Sequence, residues 1–403
     1  MNQPNQPSPA LSATTSRRRF LSALCGAAAL APFASEVAFA APRAKSPYRN
    51  LMVLIELKGG NDGLNTLVPY ADPAYYALRP KLGIARDQVI QLSDKVGLHP
   101  ALAPLQPLWT DRQLAVLQGV GYPAPNLSHF RSIEIWDTAT ASNVYAPEGW
   151  LTRAFASAHP PSSFAADGVI IGSNDLGPLG GGGARTVALA NTETFLRQAK
   201  LVVPESAAGN KALRHIVKVE DDILQAAANL DTRYAFTTEF PNSAFGNAMR
   251  VAAQVIANPA GVAAVRVTLG GFDTHGNQAG THARLLGELA RGIAALQSAL
   301  VELKRWDDTL ILTYAEFGRR PRENLSLGTD HGTASVHFAL GGRVAGGLYG
   351  EQPSLTRLSG DGNLAYALDF RSVYATALER WWGLPSSTAL SGRHAPLDFL
   401  PVA

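Results

Sequence analysis

Leu51-Met52-Val53-Leu54-Ile55-Glu56-Leu57, closed by Lys58-Gly59-Gly60-Asn61-Asp62-Gly63, is the stretch on which the fold turns. An unbroken apolar run of this length, without polar alternation, predicts a strand covered on both faces, as in a parallel sheet. The glycines, Asn61 and Asp62 that follow predict a tight loop at its carboxyl end.

The same grammar recurs downstream. Leu114 to Gln118 predicts a second strand ending at Gly119, and Gly168 to Ile171, Val262 to Leu269, Thr309 to Thr313 and Val336 to Leu340 predict others. Between them, Ala101 to Trp109 suggests a short helix, and the loop Tyr122 to Phe130 opens onto a helix running through Trp136. Gly177 to Gly183 reads as a flexible loop. Ala212 to Leu230, Ala244 to Ala257 and Tyr366 to Trp382 read as helices. The clearest helix carries Leu285, Leu289, Ile293, Leu296, Leu300 and Leu303, spaced by three and four, as one buried stripe. Strands alternating with amphipathic helices predict an α/β fold, with a mainly parallel central sheet flanked by helices. No internal repeat or linker divides the chain, so residues 41–403 read as a single domain.

The polar residues that carry chemistry fall beside strand ends, where such sheets gather ligands. They are Asp62, Ser128-His129, Asp273 with His275, Glu316, and Asp330-His331. Carboxylates gathered this densely repel one another unless cations sit among them. With no thiolate available, the donors suit Zn²⁺ or Mn²⁺, and also Mg²⁺ or Ca²⁺. Asp62 taken singly also reads as a turn aspartate, Ser128 as a helix N-cap and Arg131 as a solvent-facing side chain.

The first forty residues predict export. Ser16-Arg17-Arg18-Arg19-Phe20-Leu21 precedes the uncharged run Leu21 to Phe33, and Ala38-Phe39-Ala40 supplies the small residues of a cleavage site before Ala41. The apolar run falls short of the ~20 residues that span a bilayer core. Arg17 and Arg18 with Phe20-Leu21 mark a twin-arginine signal over residues 1–40, so the twin-arginine translocase is an expected partner and the periplasm or the exterior the expected location. Cys25, the only cysteine, lies in that signal, which leaves the exported chain without a disulfide. The full chain is 46% hydrophobic and 17% charged with a net charge of +3, three of whose positives are Arg17, Arg18 and Arg19. That near-neutral balance gives no support for nucleic-acid or anionic-membrane binding, and no later apolar run is long enough to cross a membrane.

Together the motifs carry a resemblance. L-x-G-G-N-D-G-L-N at 57–65, L-H-P-A-L at 98–102, L-S-H-F-R-S at 127–132, G-G-F-D-T-H-G-N-Q at 270–278, A-E-F-G-R at 315–319 and G-T-D-H-G at 328–332 resemble an exported bacterial family. It is domain of unknown function 1501, itself similar to the alkaline phosphatase and sulfatase superfamily. The resemblance implies an alkaline-phosphatase-like fold and a metal-dependent hydrolase of small anionic phosphate or sulfate esters. It implies Ser128 as nucleophile at a helix N-terminus with His129 beside it, and Asp62, Asp273, His275, Glu316, Asp330 and His331 as ligands, for a pair of metals. Arg131 and Arg319 are the expected contacts to substrate. Glu316 and Asp330-His331 compete for one place in the superfamily pattern, and His337 competes with His331 as a late histidine. The alternative expectation is a non-catalytic exported relative that binds a ligand or partner at the cell envelope.

Overall fold

A computed structural model describes residues 47–189 and 234–401. The export signal with Arg17 and Arg18, and the helix expected at 212–230, lie outside the described residues. Among the described residues nine strands form the main sheet. In chain order they are β1 (Leu51–Lys58), β2 (Leu114–Gly121), β3 (Ala166–Ile171), β4 (Thr186–Leu189), β5 (Val262–Gly270), β6 (Thr309–Tyr314), β7 (Ser335–Leu340), β8 (Gly347–Gly350) and β9 (Leu368–Asp369). Their spatial order is β8-β2-β7-β6-β1-β5-β3-β4, with β9 also paired to β2. The decisive run is the middle of this array: β1 pairs in parallel with both β5 and β6.

One strand departs from the parallel pattern. β7 runs antiparallel to β6 and to β2, while every other pairing within this main sheet is parallel. Hydrophobic patterning reports burial and is blind to direction, so nothing in V-H-F-A-L marks the reversal. The consequence is positional: the amino end of β7 lies at the same sheet edge as the carboxyl ends of its neighbours. Residues that precede β7 in sequence therefore join residues that follow β1, β5 and β6.

Each face of the sheet is covered. Val53, Ile55 and Leu57 of β1 pack with Leu285, Leu289, Ile293 and Leu296 from the long helix and Met249 from Ala244–Ala257. Met52 and Leu54 face the other way, toward Trp136, Trp150, Phe155 and Tyr374. The helices on that side are α1 (His129–Thr138), α2 (Trp150–Ser157) and, late in the chain, α5 (Phe370–Thr376); α3 (Ala244–Ala257) and α4 (Gln278–Glu302) cover the first face.

Two expected helices differ in extent. Pro104 and Pro107 break the stretch after Pro100 into a 3₁₀ segment, Pro100–Leu105, and a short helix, Gln106–Thr110. The last helix starts late because Leu368 and Asp369 pair with β2, and the Asp369 carboxylate then caps it by accepting from Arg371 N at 2.9 Å. The one polar side chain of the decisive run also finds a partner. Glu56 lies 2.7 Å from Arg266 of β5, both buried, and Arg266 donates to Tyr314 of β6 at 2.8 Å. Among the described residues no helix is long and apolar enough to cross a membrane.

Candidate metal centre

The site lies beyond the carboxyl ends of β1, β5 and β6. β1 turns away through Gly59 and Gly60, both at positive φ. A Cβ on Gly59 would stand 2.4 Å from Asp273 N, so the two loops touch backbone to backbone. The Gly59 N–H donates to both oxygens of Glu316, at 2.9 and 3.1 Å. Three loops are thereby locked together at one point.

Asp273 is the centre of the arrangement. Its Oδ1 lies 3.0 Å from His275 Nε2 and 3.2 Å from His331 Nε2, and its Oδ2 lies 3.4 Å from His129 Nε2. The two Nε2 atoms of His275 and His331 are 3.0 Å apart. The ligand atoms of His129, Asp273 and His331 all fall within 4.8 Å of one another, a set able to hold a metal ion.

Each imidazole is fixed from behind. His129 Nδ1 lies 2.8 Å from Glu316 Oε1 and His275 Nδ1 3.2 Å from Asp330 Oδ1, while His331 Nδ1 donates to the Leu127 carbonyl at 2.8 Å. A carbonyl only accepts, so His331 Nδ1 carries a proton toward Leu127; with a cation at the Nε2 atoms, Glu316 and Asp330 would take the Nδ1 protons of His129 and His275 in the same way. Imidazoles oriented by an acceptor at the far nitrogen are the usual dress of metal-binding histidines. Three such nitrogens with one carboxylate suit a borderline cation such as Zn²⁺.

The electrostatics agree. Burial opposes the charge on Asp273, but the Arg319 guanidinium 2.7 Å away and the neighbouring histidines outweigh it and hold the carboxyl down to about 2. Its hydrogen bond from Asn324, and then His275, lowers Asp330. Burial foremost lowers His331, against the pull of the Leu127 carbonyl and Asp273. Asp273 and Asp330 are thus favoured as carboxylates and His331 as a neutral imidazole, the forms that bind cations.

The expected residues divide accordingly. Asp273, His275 and His331 are brought together, and His129 joins them as a fourth inward-facing group, where a role beside the nucleophile was expected. Glu316 and Asp330 stand behind His129 and His275, orienting them. Arg319 is buried and spends its donors on Asp273 and on the Gly60, Thr329 and Phe272 carbonyls, so it positions Asp273. Arg131 holds the Ser142 and Val144 carbonyls at 2.9 and 2.7 Å and pairs with Glu134, pointing to its own loop.

Asp62 stays outside the cluster. It is fully buried and paired bidentately with Arg79 at 2.6 and 2.9 Å, with Gln278 on the same carboxylate. Burial opposes its charge, yet the Arg79 pair lowers its pKa. His337 lies buried within β7 against Trp136, apart from the cluster. Ser128 occupies the N-cap of α1, exposed, and its hydroxyl makes no capping bond. Sequence reasoning missed Arg79, Asn324 and the Leu127 carbonyl. A backbone acceptor has no residue signature, and Arg79 reveals itself only through contact.

No curated protein sequence matches the chain. Several solved structures are similar to it at low identity. One is the C-terminal periplasmic domain of EcEptC from Escherichia coli in complex with Zn, 10% identical, covering 72% of this chain and 72% of that one, with TM-score 0.35. A glycosaminoglycan-metabolism protein of Bacteroides thetaiotaomicron is 11% identical, covering 87% and 76%, with TM-score 0.40. The alkaline phosphatase of the Antarctic bacterium TAB5 is 14% identical, covering 76% and 95%, with TM-score 0.29. Residues 49–390 match the family described as "Protein of unknown function (DUF1501)", and the chain belongs to that family.

Proposed function

We propose that the protein is an exported, metal-dependent hydrolase of phosphate or sulfate esters. One observation carries the reading: three histidines, each with its Nδ1 tied back, aim their Nε2 atoms at the Asp273 carboxylate. A divalent cation there would supply Lewis acidity toward an ester oxygen and screen the substrate's negative charge. With Asp62 consumed by Arg79, the donor set suits one cation in place of the expected pair.

Ser128 is the nucleophile in this reading. It precedes His129, its hydroxyl is exposed and without a capping bond, and the first turn of α1 offers backbone N–H groups to an anion. Its Oγ would bond to phosphorus or sulfur as the ester oxygen departs; the seryl proton passes to water and the leaving alkoxide takes one up. Water would then release the inorganic anion and restore the serine. Export through the twin-arginine translocase, with the periplasm or exterior as destination, is part of the same proposal and rests on Arg17, Arg18 and the apolar run behind them.

Elemental mass spectrometry of the purified protein, with phosphate and sulfate aryl esters as reporters, tests the reading. About one equivalent of cation in the wild type and in Ser128→Ala, with turnover abolished only in the variant, is the expected result. Turnover unaffected by Ser128→Ala removes the serine from the mechanism. A bound cation with no turnover of any ester leaves the non-catalytic alternative, which the withdrawal of Asp62 from the site favours.

A further inference from the structure

The loop between β2 and α1 reads Tyr122-Pro-Ala-Pro-Asn-Leu-Ser128, and it carries the Leu127 carbonyl behind His331 as well as Ser128 itself. Its backbone is held in a costly shape. Ala124, between Pro123 and Pro125, sits at φ +52, a left-handed conformation that alanine adopts only at a cost. Proline, moreover, draws the residue before it toward extended backbone. Such strain persists only where contacts hold it. A buried phenol spans this turn: the Tyr122 hydroxyl accepts from Asn126 N at 3.0 Å, closing the Pro-Ala-Pro stretch from end to end.

The proton of that phenol has a set direction. Ser132 of α1, also buried, lies 2.7 Å from the Tyr122 hydroxyl and donates its own proton to the Glu316 carbonyl. A serine hydroxyl has one proton to give, so Tyr122 donates to Ser132 and accepts from Asn126. The Asn126 carbonyl, 3.3 Å from the same hydroxyl, is the longer and weaker alternative for that proton. A directional chain thus runs from the Asn126 N–H through Tyr122 and Ser132 to the backbone of Glu316. Asn126 in turn accepts from Ser128 N through its side chain, at 2.8 Å.

Both ends of the chain sit against imidazoles. Asn126 is followed directly by Leu127, whose carbonyl accepts from His331 Nδ1 at 2.8 Å, and the Glu316 carboxylate lies 2.8 Å from His129 Nδ1. We propose that Tyr122 is a positioning residue of the metal centre. Its hydroxyl sets His331 through the loop on one side and His129 through Glu316 on the other, and it fixes the backbone that carries Ser128. It touches neither cation nor substrate. The setting of the imidazoles rests on the cation site alone, whereas its consequence for Ser128 rests on the hydrolase reading above.

Tyr122→Phe keeps the ring that packs edge-on against Phe370 and removes only the hydroxyl. Ser132→Ala cuts the same chain one link further on. Competition of the full chain with a zinc chelator should show Zn²⁺ affinity about tenfold lower in each variant. The double variant should be no weaker than either single one, because a chain is broken once. Isotope-edited NMR of the histidine rings in the cation-free protein gives a readout that lost stability alone does not move. His331 should carry its proton on Nδ1 in the wild type and shift it toward Nε2 in Tyr122→Phe, as the Leu127 carbonyl drifts away and Asp273 Oδ1 becomes the nearer acceptor. Losses that multiply in the double variant, or an unchanged affinity and His331 tautomer in Tyr122→Phe, overturn the proposal and leave the hydrolase reading standing. A wild type that binds no Zn²⁺ overturns both. The expected losses and tautomer shift, with no ester turned over by the wild type, keep the role of Tyr122 and remove the hydrolase reading.

Discussion

Glu316 faces away from the space where the three Nε2 atoms meet, yet it decides which nitrogen of His129 carries a lone pair. Its oxygens are fixed by Gly59 N, and with a cation at Nε2 its charge would hold the imidazole proton on Nδ1. Glu316→Gln keeps an acceptor and removes the charge, so cation affinity should fall roughly 10- to 100-fold with little change in melting temperature. Competition titration with a zinc chelator reads this, and undiminished affinity would remove Glu316 from the site's support. Asp62→Ala should behave oppositely. It leaves Arg79 buried and unpaired, a loss of roughly 3–5 kcal/mol, while cation binding by the folded protein persists. Chemical denaturation and elemental analysis separate the two effects. The candidate donors Asp273, His275 and His331 stood out in D-T-H and D-H-G because few residue types bind cations. The distinction between Asp62 and Asp273 was not, since both are aspartates after glycine-rich strand ends and only Arg79, seventeen positions on, sets them apart.

Elements bring these residues together, and the direction of β7 is the decisive case. β1, β5 and β6 were legible as apolar runs because burial on both faces leaves that mark. Pairing direction leaves none, so Asp330-His331 could not be placed from sequence until β7 proved antiparallel. The loop before it is held close: a Cβ on Gly328 would lie 2.2 Å from the His275 carbonyl carbon. Gly328→Ala must therefore push the loop and His275 apart. Cation affinity should fall at least tenfold, with the sheet intact by circular dichroism. Wild-type affinity in that variant would show that the 324–328 loop does not position His275.

At the scale of the whole molecule, the core carries histidines that the site does not use. Burial lowers His282 to about 4 and His337 to about 3, and His99 is lowered to about 4 by the same cause. Each is neutral in the folded protein and titrates near 6.5 when unfolded. Below that pH the unfolded chain binds protons the folded chain refuses, so stability falls as pH drops from about 6.5 toward 4. By pH 5 a single such histidine should cost about 2 kcal/mol. His337 is the cleanest probe, because it lies in β7 against Trp136, away from the cation ligands. With a chelator present throughout, the urea midpoint of the wild type should drop between pH 7 and pH 5. In His337→Leu, which has no proton to gain there, the drop should shrink by about one histidine's share. An identical drop in both proteins would mean that His337 takes up its proton within the fold, and that the core around Trp136 admits charge.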